Sequence, residues 1–212
     1  MKLYKEYAPL VSVIIPTYNR VSLLKRAIDS VIEQTFRDWE LIIVDDGSND
    51  DTFNMVREYQ DSFDNIKYIR HSNRKLPITM NTGITLSTGK YITFLGSDDE
   101  YKPEHLKLRV EYMHNNPGIE FIHGGVEIIG EPFVKDKHDL TKLIHIDDCV
   151  IGGTFFAKKE VFTTYGGFNN VYYSEDSDFF ERIVSKVKIA RVNFPTYVYY
   201  RDTPDSIAST IT

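Results

Sequence analysis

The sequence contains a single cysteine, no long apolar run and no excess of positive charge. Because Cys149 has no intrachain disulfide partner, the chain is not a disulfide-bonded scaffold, and a reducing cytoplasm is the expected compartment. No apolar run approaches the roughly 20 residues of a membrane span, and the N-terminus lacks the apolar segment of a secretory signal. We therefore expect a soluble, cytoplasmic protein, for which peripheral contact with the inner face of the membrane stays open.

The charge balance argues against nucleic acid as a partner. The 212 residues include 25 lysines and arginines against 31 aspartates and glutamates, which gives a formal net charge of −6. A surface that binds a phosphate backbone needs clustered cations. A small anionic substrate is still compatible with this balance if a metal ion or a few local cations neutralise it.

The first half of the chain alternates short β-branched runs with amphipathic segments. Four strands are predicted in VSVII, ELIIV, IKYIRH and YITFL, with helices between them and after the last one. We predict Ser22 as the N-cap of the first helix, an inward-facing Phe53 in the second and Pro77 in the first turn of the third. Strands that alternate with helices in this way indicate a mostly parallel sheet.

The pattern changes after about residue 118. Strands are predicted around two glycine pairs, at 124–125 and across 150–162, and a helix is predicted from Glu175. The runs IARVNF and YVYYR predict a final pair of strands, whereas the polar stretch 131–148 has no interpretable pattern. Since this length suits one domain, we expect residues 1–212 to form a single α/β unit with a mixed-sheet annex.

Two pairs of adjacent aspartates follow two of the predicted strands. Asp45 and Asp46 end the run ELIIVDD, and Asp98 and Asp99 follow YITFLGS. Adjacent carboxylates repel each other, so each pair needs a turn, water, a metal ion or a ligand beside it. Ligands of open parallel sheets bind beyond the carboxyl ends of the strands, and exposed carboxylates there suit Mg²⁺ or Mn²⁺. Turn formation and helix capping are the alternative explanation of DDGS.

A third acidic cluster lies at the start of the helix predicted from Glu175. The sequence SEDSDFF places Glu175, Asp176 and Asp178 in the first turn, after Ser174. Serine is a favoured N-cap, and acids in a first turn offset the helix dipole. Taken alone, these residues are better explained by capping than by catalysis.

Four motifs in this order resemble the family 2 glycosyltransferases, which are inverting enzymes with the GT-A fold. They are VSVIIPTYNR, ELIIVDDGSNDDT, NTGITLSTGKYITFLGSDD, and YGGF followed by SEDSDFFERI. The resemblance covers about residues 11–201 and implies a Rossmann-like, mostly parallel central sheet flanked by helices, with a smaller mixed-sheet annex. It also implies that about residues 9–118 bind the nucleotide-sugar and about residues 119–212 bind the acceptor.

The resemblance assigns roles to the first loop and to the first acidic pair. In the family these residues hold the nucleoside, with one aspartate on the base. Carried over, Asp45 is the base contact and Asp46 supports its loop. The residues that border the nucleoside are then Pro16, Thr17, Tyr18 and Arg20.

The second acidic pair takes the place of the family's DxD metal site beneath the diphosphate. Ser97 and Asp98 occupy its last two positions, so that Asp98 becomes the principal ligand of Mn²⁺ or Mg²⁺ and Asp99 assists it. Gly96 stands where many relatives have the first aspartate, which puts a ribose or second metal contact in doubt.

Positive charge for the diphosphate would come from other positions in this chain than in many relatives. Met80 precedes the asparagine of the N-x-G motif, where many relatives have an arginine. Arg74 or Lys75 is the candidate to replace it. Arg201, in a segment that resembles the family's closing loop, is a further candidate.

The acidic cluster after YGGF corresponds to the acceptor side of the family, with Asp176 as the general base. An acceptor hydroxyl must lose its proton as it attacks the anomeric carbon, and a nearby carboxylate can take that proton. A metal ion would stabilise charge on the departing nucleoside diphosphate, and direct attack on an α-linked donor yields a β-linked product. Glu175 and Asp178 are then orienting or acceptor-contacting groups.

The expected activity is glycosyl transfer in polysaccharide or glycoconjugate biosynthesis. By resemblance the donor is a UDP-sugar, with GDP and dTDP open, and the acceptor is a glycan or a lipid-linked molecule. One alternative is a catalytically silent protein that binds nucleotide-sugars on the same fold. A less favoured one is a metal-binding phosphoacceptor signalling domain, which normally carries its acidic pair after the first strand, whereas that strand here ends in PTYNR.

Overall fold

The computed structural model describes residues 8–203, and its central element is a seven-stranded sheet. Numbered in chain order and given from one edge to the other, its strands are β11 (Ile189–Arg191), β6 (Phe121–His123), β10 (Phe156–Lys158), β4 (Tyr91–Phe94), β1 (Val11–Thr17), β2 (Trp39–Asp45) and β3 (Ile66–Arg70). Only β10 runs antiparallel to its neighbours in this sheet. The sheet is therefore mostly parallel, as predicted.

Six α-helices lie within the described residues and cover both faces of the sheet. They are α1 (Val21–Ile32), α2 (Thr52–Gln60), α3 (Leu76–Leu86), α4 (His105–Asn115), α5 (Lys159–Tyr165) and α6 (Glu175–Ile183). Side chains of α1, α2 and α4 pack in one apolar cluster, and side chains of α3, α5 and α6 pack in a second. Alternate residues of β1, such as Val13 and Ile14, point into the two clusters, which is why the strand is apolar throughout.

Two smaller sheets adjoin the central one. The first contains β5 (Glu100–Tyr101), β12 (Tyr197–Tyr200) and β7 (Val126–Ile129), with β12 in the middle. The second is a hairpin of β8 (Phe133–Asp136) and β9 (Asp139–His145), formed by the polar stretch that had no interpretable pattern. Short 3₁₀ turns follow at Ile146–Asp148 and Gly152–Thr154.

Two predictions about helices were wrong and one was confirmed. Helix α1 begins at Val21, and its amide donates to Asp50 Oδ2 at 3.0 Å, so a neighbouring loop caps the helix instead of Ser22. Phe53 is 48% exposed, because its ring lies over Tyr68 at the surface and not in the core. Pro77 lies in the first turn of α3 as predicted.

The predicted pairing of the last two strands was wrong. β11 pairs with β6 in the central sheet, whereas β12 pairs in parallel with β7 in the small sheet. The chain segments 121–129 and 189–200 therefore run side by side from one sheet into the other. Gly125 permits the bend, since a Cβ there would lie 2.2 Å from the carbonyl oxygen of Phe194.

The segment 150–162 was predicted as a strand but forms three elements. A 3₁₀ turn, the short strand β10 and the start of α5 follow one another there. Strands from both sides of residue 118 share the central sheet, while the division into a donor and an acceptor half stays a prediction. None of the helices in residues 8–203 is long and apolar enough to cross a membrane.

Candidate active site

A cleft of about 1270 Å³ lies at the carboxyl ends of β1, β2 and β4. The loops after these three strands form its first side, which we call the sheet side. The hairpin β8–β9, the segment 146–151 and the first turns of α6 form the opposite, hairpin side. The predicted acidic clusters at the strand ends and at the start of α6 therefore meet across one cleft.

The end of β1 and the loop after it contribute every residue that the sequence predicted there. The residues that line the cleft are Pro16, Thr17, Tyr18 and Arg20. The ring of Tyr18 is 43% exposed, so a planar group has room to stack on it. The buried Thr17 Oγ1 has no hydrogen-bond partner within the described structure.

The two aspartates after β2 occupy different environments. Asp45 is buried, and its carboxylate accepts from the amide and hydroxyl of Ser48 at 2.8 and 2.6 Å and from the Tyr68 hydroxyl at 2.5 Å. Asp46 lines the cleft and accepts from the amides of Arg74 and Lys75 at 2.6 and 3.0 Å. Asp45 is not among the described residues that line the cleft, so this geometry does not fit a base contact at Asp45.

Asp98 lines the cleft after β4, together with Ser97, as the sequence predicted. Its Oδ2 forms an ion pair with Nη1 of Arg20 at 2.5 Å, and its backbone carbonyl accepts from Nη2 of Arg26. The guanidinium of Arg26 stacks on the ring of Tyr200 at 3.7 Å. Two arginines of α1 and its preceding loop thus hold the second acidic loop.

Asp99 turns away from the cleft and binds β12. Its Oδ2 accepts from the Tyr197 hydroxyl at 2.5 Å, and its Oδ1 accepts from the Tyr200 amide at 2.9 Å. Burial, reinforced by the neighbouring charge of Asp98, raises the pKa of Asp99 from 3.8 to about 7. These contacts give Asp99 a supporting position beneath Asp98, and Asp99 does not line the cleft in the part of the chain described.

Gly96 is explained by the same arrangement. A Cβ at this position would lie 2.6 Å from Asp99 Oδ2 and 3.1 Å from Asp98 Oδ1. An aspartate at position 96 would therefore displace Asp99 from Tyr197. The departure from the DxD pattern fits the inward position of Asp99 in this chain.

The first turn of α6 places Glu175 and Asp176 in the wall of the cleft. Asp176 Oδ2 accepts from the Gly152 amide at 2.9 Å, and Oδ1 accepts from the Ser177 amide at 2.7 Å. Burial raises the pKa of Asp176, and burial together with Asp176 raises the pKa of Glu175 from 4.5 to about 7. Ser174 occupies the N-cap position at φ 60°, where its side chain caps no helix amide and its hydroxyl donates to Asp176 Oδ1 at 3.2 Å.

The remaining predicted residues lie at the margin of the cleft or outside it. Lys75 lines the cleft, whereas the exposed Arg74 contributes its backbone amide to Asp46. Asp178 faces away from the cleft, where it pairs with Arg182 at 3.1 Å. Arg201 donates to the Phe133 carbonyl of the hairpin at 3.2 Å, and its Nε and Nη1 are buried without hydrogen-bond partners in the described residues.

Of the two predicted metal ligands, Asp98 presents its carboxylate to the cleft, whereas Asp99 is not among the described residues that line it. No group of three or more histidine, cysteine, aspartate or glutamate side chains suited to a metal ion occurs between residues 8 and 203. Mg²⁺ usually keeps several waters and binds one or two carboxylates plus substrate phosphates. A site of that kind fits Asp98, whereas a cage built by the protein alone does not.

Several contacts that build the site were missed in the sequence. Tyr197, Arg26 and the Gly152 amide hold the three acidic groups in place, and each lies in a different part of the chain from its partner. The stretch 131–148 carried no motif that would have predicted the hairpin β8–β9 at the cleft. Gly96 itself was one signal in the sequence, because a glycine at a motif position indicates that another group lies close to the backbone there. That group is the Asp99 carboxylate.

Comparison with known proteins identifies the family of this chain. A family model described as Glycosyl transferase family 2 matches residues 12–172. The chain is 36% identical over 129 residues to the UDP-Glc:alpha-D-GlcNAc-diphosphoundecaprenol beta-1,3-glucosyltransferase WfgD of Escherichia coli, a match that covers 60% of this chain and 50% of that protein. The chain spans 58% or less of the length of this and other curated relatives that it matches.

Solved structures share the fold. S. aureus TarS 1-349 in complex with UDP-GlcNAc has a TM-score of 0.79 at 18% identity, over 95% of this chain and 61% of that chain. The mannosyltransferase PcManGT from Pyrobaculum calidifontis, in complex with GDP-Man and Mn²⁺, has a TM-score of 0.73 at 20% identity, over 94% and 59%. These likenesses confirm the predicted GT-A fold. Because the family model matches more than half of the sequence, the chain belongs to glycosyl transferase family 2.

Proposed function

We propose that this chain transfers a sugar from a nucleotide-sugar, in the first place a UDP-sugar, to an acceptor hydroxyl with inversion at the anomeric carbon. One observation carries the proposal: Asp46, Asp98 and Asp176 line a single cleft at the carboxyl ends of the parallel strands. Open α/β sheets bind their ligands at this edge. Family membership also argues against the phosphoacceptor signalling domain.

The nucleoside would lie against the loops that follow β1 and β2. Asp46 takes the base-contact role that the sequence had assigned to Asp45, because Asp46 faces the cleft and Asp45 is enclosed by Ser48 and Tyr68. The unpartnered Thr17 hydroxyl is a ready donor or acceptor for the nucleoside. The similar fold of TarS in complexes with UDP-GlcNAc and with UDP supports a nucleotide at this edge.

Asp98 would hold a divalent ion, Mn²⁺ or Mg²⁺, and such an ion would supply charge stabilisation for the departing diphosphate. Arg20 and Lys75 line the same part of the cleft and would bind phosphate oxygens. Asp99 keeps its position behind Asp98 through Tyr197. Arg201 would reach the diphosphate only after a rearrangement, since its free guanidinium nitrogens are buried.

Asp176 is the proposed general base. The amides of Gly152 and Ser177 fix the orientation of its carboxylate. Oδ1 also accepts from the Ser174 hydroxyl at 3.2 Å, so Oδ2 is the oxygen that keeps lone-pair capacity for an acceptor hydroxyl. A raised pKa suits a base that works near neutral pH. Attack on an α-linked donor from this side, opposite the leaving group, would give a β-linked product.

The acceptor would enter on the hairpin side of the cleft. Six apolar residues line this wall: Val134, Ile144, Ile146, Val150, Ile151 and Phe180. Acids outnumber lysines there, with Asp136, Asp148, Glu175, Asp176 and Glu181 against Lys135 and Lys137. This lining favours an uncharged sugar ring at the reacting position, so the anionic linker of a lipid-linked acceptor would lie outside the cleft.

The relative from Escherichia coli is named for a diphosphoundecaprenol acceptor, which supports a glycan or lipid-linked acceptor for this chain. A role in polysaccharide or glycoconjugate biosynthesis would follow. A cytoplasmic location at the inner face of the membrane stays a prediction.

A second candidate function is a nucleotide-sugar-binding protein without turnover. The observation that favours it is the Arg20–Asp98 ion pair, which occupies the carboxylate proposed to bind a metal ion beneath the diphosphate. Such a protein would bind donor and fail to release nucleoside diphosphate.

A screen of UDP-, GDP- and dTDP-sugars with Mn²⁺ distinguishes the two functions. Thermal shift reports binding to the folded chain, and released nucleoside diphosphate reports turnover, with Asp176→Asn as the matched control. Steady release by the parent alone would support the enzyme, and stabilisation without release would support the binder. If none of the sugar nucleotides stabilises the chain or turns over, both proposals fail.

A further inference from the structure

We infer that Tyr197 is a positioning residue that couples the donor loop, Gly96–Asp99, to the 3₁₀ turn Gly152–Thr154 that holds Asp176. The inference rests on the proposed function for its catalytic meaning. Its structural content, a mechanical link between the two sides of the cleft, can be tested without any ligand.

The hydroxyl of Tyr197 binds the donor loop at two points. It donates to Asp99 Oδ2 at 2.5 Å and accepts from the Gly96 amide at 3.2 Å. Both residues flank Asp98, and all of these groups are buried or nearly so. Because a buried carboxylate without its donor is costly, the position of this loop depends on the Tyr197 hydroxyl.

The ring of Tyr197 contacts the turn Gly152–Thr154, which bonds to Asp176 on the hairpin side of the cleft. A Cβ at Gly153 would lie 2.3 Å from both Cζ and the hydroxyl oxygen of Tyr197. The backbone of the turn therefore packs directly on the end of the ring. A displacement of the turn would move the same hydroxyl that holds Asp99.

The turn also carries the contact to the proposed base. The Gly152 amide donates to Asp176 Oδ2 at 2.9 Å, and a Cβ at Gly152 would lie 3.0 Å from the Cβ of Asp176. One chain of contacts thus runs from Asp99, the neighbour of Asp98, through Tyr197 and the turn at Gly153 and Gly152 to Asp176. Residues on the two sides of the cleft would then adjust together when a donor or an acceptor binds.

Tyr101 is a buried tyrosine next to Tyr197 that has only structural contacts. Its buried ring lies 5.8 Å from that of Tyr197, and its hydroxyl donates to the Phe94 carbonyl and lies 3.1 Å from Thr93 Oγ1. None of these contacts involves the donor loop or the turn. Tyr101→Phe is therefore a matched control for the loss of a buried hydroxyl.

The first experiment compares backbone amide resonances of the ligand-free protein. Gly153→Ala should shift the Gly96 and Asp99 amides, because the new methyl group displaces the end of the Tyr197 ring. Gly118→Ala is the control, since its Cβ would meet only Lys188 Nζ at 3.9 Å. If the Gly96 amide is as unaffected in Gly153→Ala as in Gly118→Ala, the coupling is overturned.

A reverse experiment covers the case in which Gly153→Ala does not fold. Tyr197→Leu removes the ring from Gly153, so it should shift the Gly152 amide, which bonds to Asp176. Tyr101→Phe should leave that amide in place. An unchanged Gly152 amide in Tyr197→Leu would also overturn the coupling.

The second experiment measures binding of UDP in the presence of Mn²⁺ and in EDTA. Tyr197→Phe should raise the dissociation constant with Mn²⁺ about tenfold, the size expected for one buried hydrogen bond, and change it less in EDTA. Tyr101→Phe should lower the melting temperature similarly and leave UDP binding near the parental value. Equal losses of UDP affinity in Tyr197→Phe and Tyr101→Phe would show that Tyr197 has only a structural role. If the parent itself does not bind UDP, the proposed UDP preference fails, and the amide comparison still decides the coupling.

Discussion

Arg20 and Asp98, which lie 78 residues apart in the sequence, form an ion pair inside the cleft, with Nη1 and Oδ2 2.5 Å apart. Their side chains are only 20% and 15% exposed, so solvent screens the pair less than a surface pair. The guanidinium occupies an oxygen of the carboxylate proposed to bind the metal ion. Since two cations repel each other at one oxygen, Arg20 would compete with the proposed metal ion until substrate phosphates attracted the guanidinium.

Loss of Arg20 and loss of Asp98 should therefore change metal binding in opposite directions. Without nucleotide, Arg20→Gln should bind Mn²⁺ about tenfold more tightly, the change expected when a charged hydrogen bond no longer competes. Asp98→Ala should remain folded and lose Mn²⁺ binding and metal-dependent donor binding. Titration of free Mn²⁺ by electron paramagnetic resonance measures both.

Lys25→Gln is the control for this experiment, because it removes an exposed ion pair with Asp29 from α1, the helix that follows Arg20. Its affinity for Mn²⁺ should match that of the parent. Equal affinities in Arg20→Gln and the parent would show that Arg20 does not compete at this carboxylate.

The two aspartates after β2 should separate binding from stability. Asp46→Asn should weaken UDP binding by about 1–3 kcal/mol if a buried hydrogen bond to the base is lost. Asp45→Asn should instead lower the free energy of unfolding by a similar amount, because Ser48 and Tyr68 lose a charged acceptor. Calorimetric titration and denaturant unfolding of both variants give the comparison, and the reverse pattern would restore Asp45 as the base contact.

These aspartates also show how far the sequence predicts the site. The buried runs before Asp45 and Asp98 and the alternation of strands and helices predicted β1 to β4 and the edge at which the cleft forms. Which member of each pair faces the cleft was not predictable. Distant partners decide which one is enclosed, Tyr68 in the first pair and Tyr197 in the second, and the local sequence does not indicate them.

The second half was less predictable because its elements depend on contacts between distant segments. β12 pairs with β5 and β7, which lie about 70 to 100 residues earlier in the sequence, and nothing in YVYYR indicates these partners. The hairpin β8–β9 has polar residues on both faces, so alternation gave no signal. The acids of α6 were placed correctly in a first turn, but only the fold brings two of them to the cleft.

Glu175 should make stability and activity depend on pH near neutrality. Its folded-state pKa of about 7 exceeds the ordinary value of 4.5, so the folded chain holds this proton more tightly than the unfolded chain. Stability from this group is therefore greatest below about pH 4.5 and is lost as the pH rises through 7. Glu175→Gln should flatten the decline in melting temperature between pH 4.5 and 8, and a decline as steep as that of the parent would contradict the shift.

The same pair of acids should control the rate. Transfer should increase with pH up to about 7, because Glu175 and Asp176 must lose a shared proton before one of them can accept another. The apparent pKa of the rate profile belongs to the pair and not to either residue alone. A rate that falls as the pH rises from 5 to 7 would exclude a carboxylate as the base.

Asp176 itself should matter to turnover far more than to folding. Asp176→Asn keeps the shape and the acceptor oxygen for the Gly152 amide but cannot take a proton, so transfer should fall by about 10²–10⁴-fold while donor affinity stays near that of the parent. Asp178→Asn is the matched control, because it removes another acid from the same first turn. Asp178 pairs with Arg182 outside the cleft. Each loss of charge at the helix start should cost only about 0.3–1 kcal/mol of folding stability, and Glu175→Gln should slow transfer less than Asp176→Asn.

Transfer rates at saturating donor and melting curves of the three variants separate the catalytic role of Asp176 from a role in helix stability. The donor for these assays is taken from the sugar-nucleotide screen. Near-parental turnover in Asp176→Asn with a lowered melting temperature would show that Asp176 stabilises the helix and that another group takes the proton.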